Sequence, residues 1–326
     1  MKIILTGISG FVGTYLSYLL LKNNYYVIGI DKVNPNHNSF HKFYNHDLCK
    51  KISSNFIKEF PQDIDILIHC AAAKGDFDLT DYDFKKDNVL ASENTISLLE
   101  KLKIKNVIHY STVSVYGHNN SIKTENAILN PNNSYGKTKL TSEKRFQNWF
   151  SKKEEFSKNL TILRPSVIYG VNNFANMFNL LKQLYKKIPI TIGNGKYVKS
   201  MIALENIVDI TLFSINNLKG LQIYNCTDEP YPTLDEVFKI ISKVDGFHEP
   251  LIKIPYVMAL FFALPFELLT FITGKDYGIN RDRVYKFSTP TDFRSDLLRK
   301  RGYIQKYKTE DCLVKMAEWF KLKINE

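Results

Sequence analysis

Met1-Lys2-Ile3-Ile4-Leu5-Thr6-Gly7-Ile8-Ser9-Gly10-Phe11-Val12-Gly13 opens the chain, and its reading decides the fold. An apolar run of strand length breaks into a glycine turn, and the turn runs into Tyr15, Leu16, Leu19 and Leu20, spaced as one face of a helix. Strand, glycine turn and helix start make a phosphate cradle. Gly7 permits the tight turn, Gly10 lets backbone approach a diphosphate, and Gly13 lets the helix pack closely. The helix amino terminus offers backbone N–H groups to the anion, and Ser9, Phe11 and Val12 are expected cofactor contacts there.

A second strand pattern, Tyr26-Val27-Ile28-Gly29-Ile30, ends in Asp31. A carboxylate there accepts hydrogen bonds from adenosine ribose hydroxyls and repels a ribose phosphate, so the expected cofactor is NAD and not NADP. Lys32 next to it softens that preference without reversing it.

The chemistry sits further along. Ser111-Thr112-Val113-Ser114-Val115-Tyr116-Gly117 places hydroxyls at the end of an apolar run, and Tyr135-Gly136-Lys137-Thr138-Lys139 follows. On a helix, Tyr135 and Lys139 share a face, where an ammonium stabilises a phenolate. A tyrosine near its ordinary pKa of about 10 is a poor base at neutral pH, so the cation is a physical requirement.

Together these residues resemble the extended short-chain dehydrogenase/reductases, which include NAD-dependent sugar-nucleotide epimerases and dehydratases. The resemblance covers nearly the whole chain and implies catalytic roles for Thr112, Tyr135 and Lys139. It also implies cofactor contacts from Asp47-Leu48 near the adenine, from Ala71, Ala72 and Ala73 after His69-Cys70, and from Asn88. His69 and Asp47 are open between cofactor contact and structural hydrogen bonding, and Asn88 between proton relay or backbone bridge and an ordinary cap. Leu163-Arg164-Pro165 through Tyr169-Gly170 resembles the family segment leading into the substrate region.

Two departures shape the expected reaction. Val113-Ser114 stands where sugar-nucleotide dehydratases carry Asp-Glu, which argues against 4,6-dehydration. Lys199 stands where the family usually has an arginine for the substrate diphosphate, and a lysine loses the two-pronged geometry. The implied activity is C4 epimerisation of a nucleotide-linked or lipid-diphosphate-linked sugar through a transient 4-keto form, in surface-polysaccharide synthesis. The alternatives are an NAD(P)H-dependent 4-keto-6-deoxy-sugar reductase and a non-catalytic NAD-binding regulator. Substrate contacts are expected from Thr112, Ser114, Asn176, Lys199 and Arg283, with Asn179, Arg281 and the loop residue His118 as further candidates.

Composition narrows the class. With 326 residues the chain exceeds one typical domain, and 44% apolar residues supply a sizeable core, which excludes disorder. The net charge of +11 comes from dispersed basic residues with acidic ones among them, which argues against nucleic-acid binding and leaves anionic sugar diphosphates or membrane faces as partners. Four scattered cysteines, Cys49, Cys70, Cys226 and Cys312, predict reduced thiols and no metal site. No leader is recognisable ahead of the first strand, so a cytoplasmic protein is expected.

Strand-like runs at 2–6, 26–30, 65–70, 106–111 and 160–164 alternate with helical patterns, and 119–133 reads as a loop. The fold class is therefore α/β: a doubly wound parallel sheet of the Rossmann type, with a smaller C-terminal substrate lobe. The cofactor domain is placed at 1–170 with 203–226 returning to it, and the lobe mainly at 171–326. Residues 254–272 are unusually apolar, with Pro265 and Glu267 near the centre. They are read first as a buried or dimer-facing helix and second as a peripheral membrane contact. The resemblance implies a homodimer.

Overall fold

Strands buried on both faces need apolar side chains at every position, and the first strand, Lys2–Thr6, alternates two cores in that way. Ile3 and Leu5 point into one cluster with Leu16, Leu20, Ile207 and Val208 from helices on that side. Ile4 points into the other, with Leu98, Leu99, Phe146 and Trp149. Helices thus cover both faces of the sheet.

The computed structural model describes residues 1–73, 79–117, 121–152, 157–186, 189–274 and 280–324, without the side chains of 282, 283, 286 and 287. Seven strands form the main sheet in the order Leu221–Cys226, Asn159–Pro165, Asn106–Tyr110, Ile66–His69, Lys2–Thr6, Tyr26–Asp31, Lys42–Asn45. All neighbours are parallel. From Lys2–Thr6 the chain builds outward through the second and third strands, then crosses back to place Ile66–His69 on the other side of the first. That reversal opens a crevice beyond the strand ends between Thr6 and His69.

The chain returns to this body after residue 200. The helix Leu204–Asn216 packs into the first core and Leu221–Cys226 closes the sheet edge. A separate core of Phe178, Leu181, Val237, Phe238, Leu313 and Phe320 holds the helices Asn176–Leu184, Leu234–Ser242 and Thr309–Ile324 together.

The apolar stretch 254–272 is the helix Tyr256–Thr273, and the expectation that it is buried does not hold. Only Ala259 and Ala263 of its eighteen residues are buried. Both pack against Val284 of the neighbouring helix Arg281–Ser288. Just one side of the helix meets the rest of the protein, which leaves Val257 75%, Phe261 74% and Phe271 88% exposed.

Candidate active site

The glycine turn meets the switch-point crevice head on. Gly7 has φ +74°, and a Cβ there would lie 2.7 Å from the Ala71 backbone nitrogen. A Cβ on Gly13 would lie 2.0 Å from the Gly7 carbonyl oxygen. Only hydrogen fits at either place, so the helix Phe11–Lys22 starts flush against the strand ends. Gly10 is its N-cap, without a side-chain cap and without an acidic residue in the first turn, which contains Phe11 and Val12. The positive end of the helix faces the crevice with no carboxylate of its own to neutralise it.

Asp31 ends its strand beside this turn. Its carboxylate accepts hydrogen bonds from Ser9 N at 3.0 Å and Val33 N at 3.1 Å, so the acidic group and the glycine turn are one unit. Lys32 is drawn to Asp87 at 3.0 Å, and that hydrogen bond holds its pKa above the ordinary value. Asp87 also accepts from the thiol of Cys49 at 3.0 Å. This Lys32–Asp87–Cys49 link was not legible in the sequence, although Asp87 adjoins Asn88.

Asp47 accepts from Cys49 N at 3.0 Å, and Leu48 is buried with its carbonyl held by Asn94. On the other side of the crevice, Ala71 N donates to Thr6 Oγ1 at 3.3 Å and Ala73 N to Asn88 Oδ1 at 2.8 Å. Asn88 sits 1% exposed in a widened helical turn, Lys85–Leu90. Its amide also donates to Thr138 Oγ1 at 3.1 Å. Asn88 therefore bridges the segment after the fourth strand, which contains Ala72, to the helix carrying Tyr135. His69 is buried, with Nδ1 2.8 Å from Thr6 Oγ1 and Nε2 3.3 Å from Ser92 Oγ. Burial pushes its pKa down to about 3, so it is a neutral structural tie.

Tyr135 and Lys139 lie on the helix Ser134–Ser151, which Asn133 caps by accepting from Gly136 N at 2.7 Å. A Cβ on Gly136 would lie 2.6 Å from the Ser114 carbonyl oxygen. Glycine at that position lets the helix start press against the short 3₁₀ turn Val113–Tyr116, whose N-cap is Thr112. Thr112 Oγ1 accepts from Ser114 N at 3.2 Å and donates to Ser114 Oγ at 3.2 Å.

Lys139 is 3% exposed and donates to the Tyr110 carbonyl at 2.5 Å, two residues before Thr112. Burial pushes its pKa down to about 8, against an opposing pull from Glu143 one turn on. Glu143 is itself bound in two places by Arg164, at 2.9 and 2.7 Å. Arg164 also donates to Tyr116 Oη, which donates to Asn225 Oδ1. Sequence reading picked out Arg164 but missed Glu143; the spacing from Lys139 to Glu143 was the available signal.

The expected substrate contacts are scattered more widely. Asn176 and Asn179 are exposed on the helix Asn176–Leu184. Lys199 donates to the Thr289 carbonyl at 2.5 Å and lies over the Tyr197 ring, and burial brings its pKa down to about 8. Tyr197 and Thr289 line a cavity of about 500 Å³ with Gly193, Lys196, Tyr256 and Tyr285. A larger opening, about 570 Å³ around Glu229, Arg299 and Tyr307, contains none of the candidate residues. Arg281 is paired with Glu267 at 2.8 Å. The side chain of Arg283 and the whole of His118 lie outside the described residues. Among the described residues no His, Cys, Asp and Glu cluster could hold a metal ion, and all four cysteines are free thiols.

A family model, the NAD dependent epimerase/dehydratase family, matches residues 3–227. The chain is 33% identical over 221 residues to the N-acetyl-alpha-D-glucosaminyl-diphospho-ditrans,octacis-undecaprenol 4-epimerase of Escherichia coli O157:H7, across 68% of this chain and 66% of that protein, just under two thirds of its length. It is 30% identical over 225 residues to an uncharacterised UDP-glucose epimerase of Bacillus subtilis, across 64% of this chain and 70% of that protein. In fold it is similar to UDP-glucuronic acid 4-epimerase from Bacillus cereus in complex with NAD, with TM-score 0.76, 21% identity and 99% of both chains covered. With its glycine turn, its acidic strand end and its Tyr135–Lys139 helix, this chain belongs to the NAD-dependent epimerase/dehydratase family.

Proposed function

We propose that the protein is a 4-epimerase of a sugar carried on a diphosphate, with either a nucleotide or a lipid as carrier. The observation that carries this reading is the placement of Tyr135 one helical turn from a buried Lys139, whose ammonium is held at the Tyr110 carbonyl two residues from Thr112. The glycine turn fits a dinucleotide: its Cβ-free cradle, uncapped helix start and Asp31 are arranged for a diphosphate and a ribose. Gly7, Ser9, Gly10, Phe11, Val12, Gly13 and Asp31 hold it in this proposal, with Asp47, Leu48, Ala71, Ala72, Ala73 and Asn88 along its path. Bound NAD supplies a hydride acceptor and donor at the sugar C4.

The side chains supply the proton chemistry. Tyr135 takes the proton of the C4 hydroxyl and later returns it, and Lys139, when protonated, lowers the cost of the phenolate. Thr112 and Ser114 orient the hydroxyl. Lys199, beside the 500 Å³ cavity, faces the substrate diphosphate as a point charge, with Asn176 and Arg283 as further contacts. The division into a cofactor domain at 1–170 with 203–226, and a substrate lobe over most of 171–326, is part of the same reading. So are cytoplasmic residence and a homodimer formed through the helix that carries Tyr135.

Two experiments test the proposal. Nucleotide released from denatured protein is identified by mass spectrometry, and native protein is incubated with UDP-sugars without added cofactor. Released NAD and C4-epimer formation are expected. An empty protein that turns over only with NAD(P)H and a 4-keto sugar would instead establish the reductase. Tyr135→Phe is expected to cut turnover by about 10²- to 10⁴-fold with NAD binding retained; undiminished turnover would remove Tyr135 from the chemistry.

A further inference from the structure

The helix Tyr256–Thr273 is long and apolar enough to cross a membrane by length and composition, yet it is packed on one side to the rest of the protein. Its exposed side is defined sharply by helical geometry. At 3.6 residues per turn, Val257, Phe261, Leu264, Leu268, Phe271 and Ile272 fall within one arc of about 180°, together with the exposed Met258, Phe262 and Leu269. No charged residue falls in that arc. The helix's one charged residue, Glu267, lies on the opposite side and is neutralised by Arg281 at 2.8 Å. Leu251 and Ile252, just before the helix, extend the exposed apolar surface at 76% and 47% exposure.

We propose that this face seats the protein on the anionic surface of a lipid bilayer, with the helix lying in the interface and not crossing it. Three observations select the bilayer over a second copy of the chain. The apolar arc is about twice as wide as the stripe of roughly 100° that a helix presents to a folded protein, and suits immersion in a continuous apolar medium. Its large aromatic and branched side chains stand far out from the surface, as Phe271 at 88% and Val257 at 75% exposure show. The chain's formal net charge of +11 complements anionic headgroups. Crossing is excluded by the contacts on the other side, since a span would carry the Glu267–Arg281 pair and the helix Arg281–Ser288 into hydrocarbon.

The docked face borders the candidate substrate cavity. Tyr256, the first residue of the helix, lines the same 500 Å³ cavity as Tyr197 and Thr289, both of which contact the Lys199 side chain. Resting on the 4-epimerase reading, this arrangement sets the diphosphate position near the headgroup plane, where a sugar diphosphate anchored in the bilayer is presented.

The test uses the full chain, with extruded vesicles of phosphatidylcholine alone or with added phosphatidylglycerol, and flotation as the readout. Wild-type protein is expected to float with the anionic vesicles, less so at high salt. The double variant Phe261→Asp with Phe271→Asp is expected to bind them roughly 100-fold more weakly, with unchanged melting temperature and unchanged activity on a soluble UDP-sugar. Wild-type protein that ignores both vesicle types, or a variant that binds as well as wild type, overturns the proposal. So does a wild-type dimer that the variant dissolves without any vesicle binding, which would make this face a contact between copies. Vesicle binding in a protein that epimerises no sugar would sink the catalytic reading and leave the docking surface standing.

Discussion

The ammonium of Lys139 lies 2.5 Å from the carbonyl oxygen of Tyr110. A side chain one turn beyond Tyr135 is thereby fastened to the strand end that leads into Thr112, which ties the helix carrying Tyr135 and Lys139 to the segment carrying Thr112. Burial of Lys139 is the cost of that arrangement, and the cost is visible as a pKa brought down to about 8.

That depression has a sign that can be checked. Lys139 gives up its proton near pH 8 when folded and near 10.5 when unfolded, so between those values the unfolded chain binds more protons. Stability relative to Lys139→Met is therefore expected to be poorest below pH 8, to rise between pH 8 and 10.5, and to level off above. Urea denaturation of both proteins across that range measures it. Turnover of Lys139→Met is expected to fall by about 10²-fold or more at neutral pH, because the phenolate loses its cation.

Lys199 predicts a pH dependence of binding. Its pKa of about 8 means that raising pH through that value discharges the proposed diphosphate contact. KM for a diphosphate-linked sugar is expected to climb as pH passes about 8, apart from the fall in kcat that discharge of Lys139 brings over the same range. Lys199→Arg, which stays charged, is expected to flatten the climb, and Lys199→Met to raise KM roughly tenfold to a hundredfold at neutral pH. Steady-state kinetics across pH decide it; a KM that is flat in the wild type removes Lys199 from the substrate contacts.

Gly13 leaves no room for a methyl group. The Cβ of Gly13→Ala would lie 2.0 Å from the Gly7 carbonyl oxygen, backbone against backbone, so the helix must shift. A loss of about 1 to 3 kcal/mol of stability is expected from the overpacking. Calorimetric titration is expected to show weakened NAD binding as well, because the same shift moves the N–H groups of the helix start.

Glu143 and Arg164 form an ion pair with side chains 0% and 2% exposed, which binds the Tyr135 helix to the sheet. Glu143→Ala strands a buried guanidinium and is expected to cost about 3 to 5 kcal/mol. The double variant Glu143→Leu with Arg164→Met is expected to recover most of that loss, since an apolar pair of similar volume needs no neutralisation. Denaturant titration of the single and double variants completes the cycle, and a double variant as unstable as Glu143→Ala would show that the pair is worth more than its desolvation.

The local signals were strong enough to be read without coordinates. The glycine spacing at Gly7, Gly10 and Gly13, the acidic strand end at Asp31, and Tyr135 with Lys139 each depend on a few consecutive residues whose backbone geometry leaves little choice. Alternating apolar runs placed the strands for the same reason, because a parallel strand buried on two faces writes itself as a continuous hydrophobic segment. What pairs across the chain was decided only by tertiary structure. The partners of Lys139, Asn88 and Arg164 are Tyr110, Ala73 with Thr138, and Glu143, most of them brought near by sheet order and crossover. The apolar helix Tyr256–Thr273 marks the same limit: its composition suggested burial, but composition records only the wish to leave water, and the arrangement of the neighbouring helices left half of its circumference uncovered.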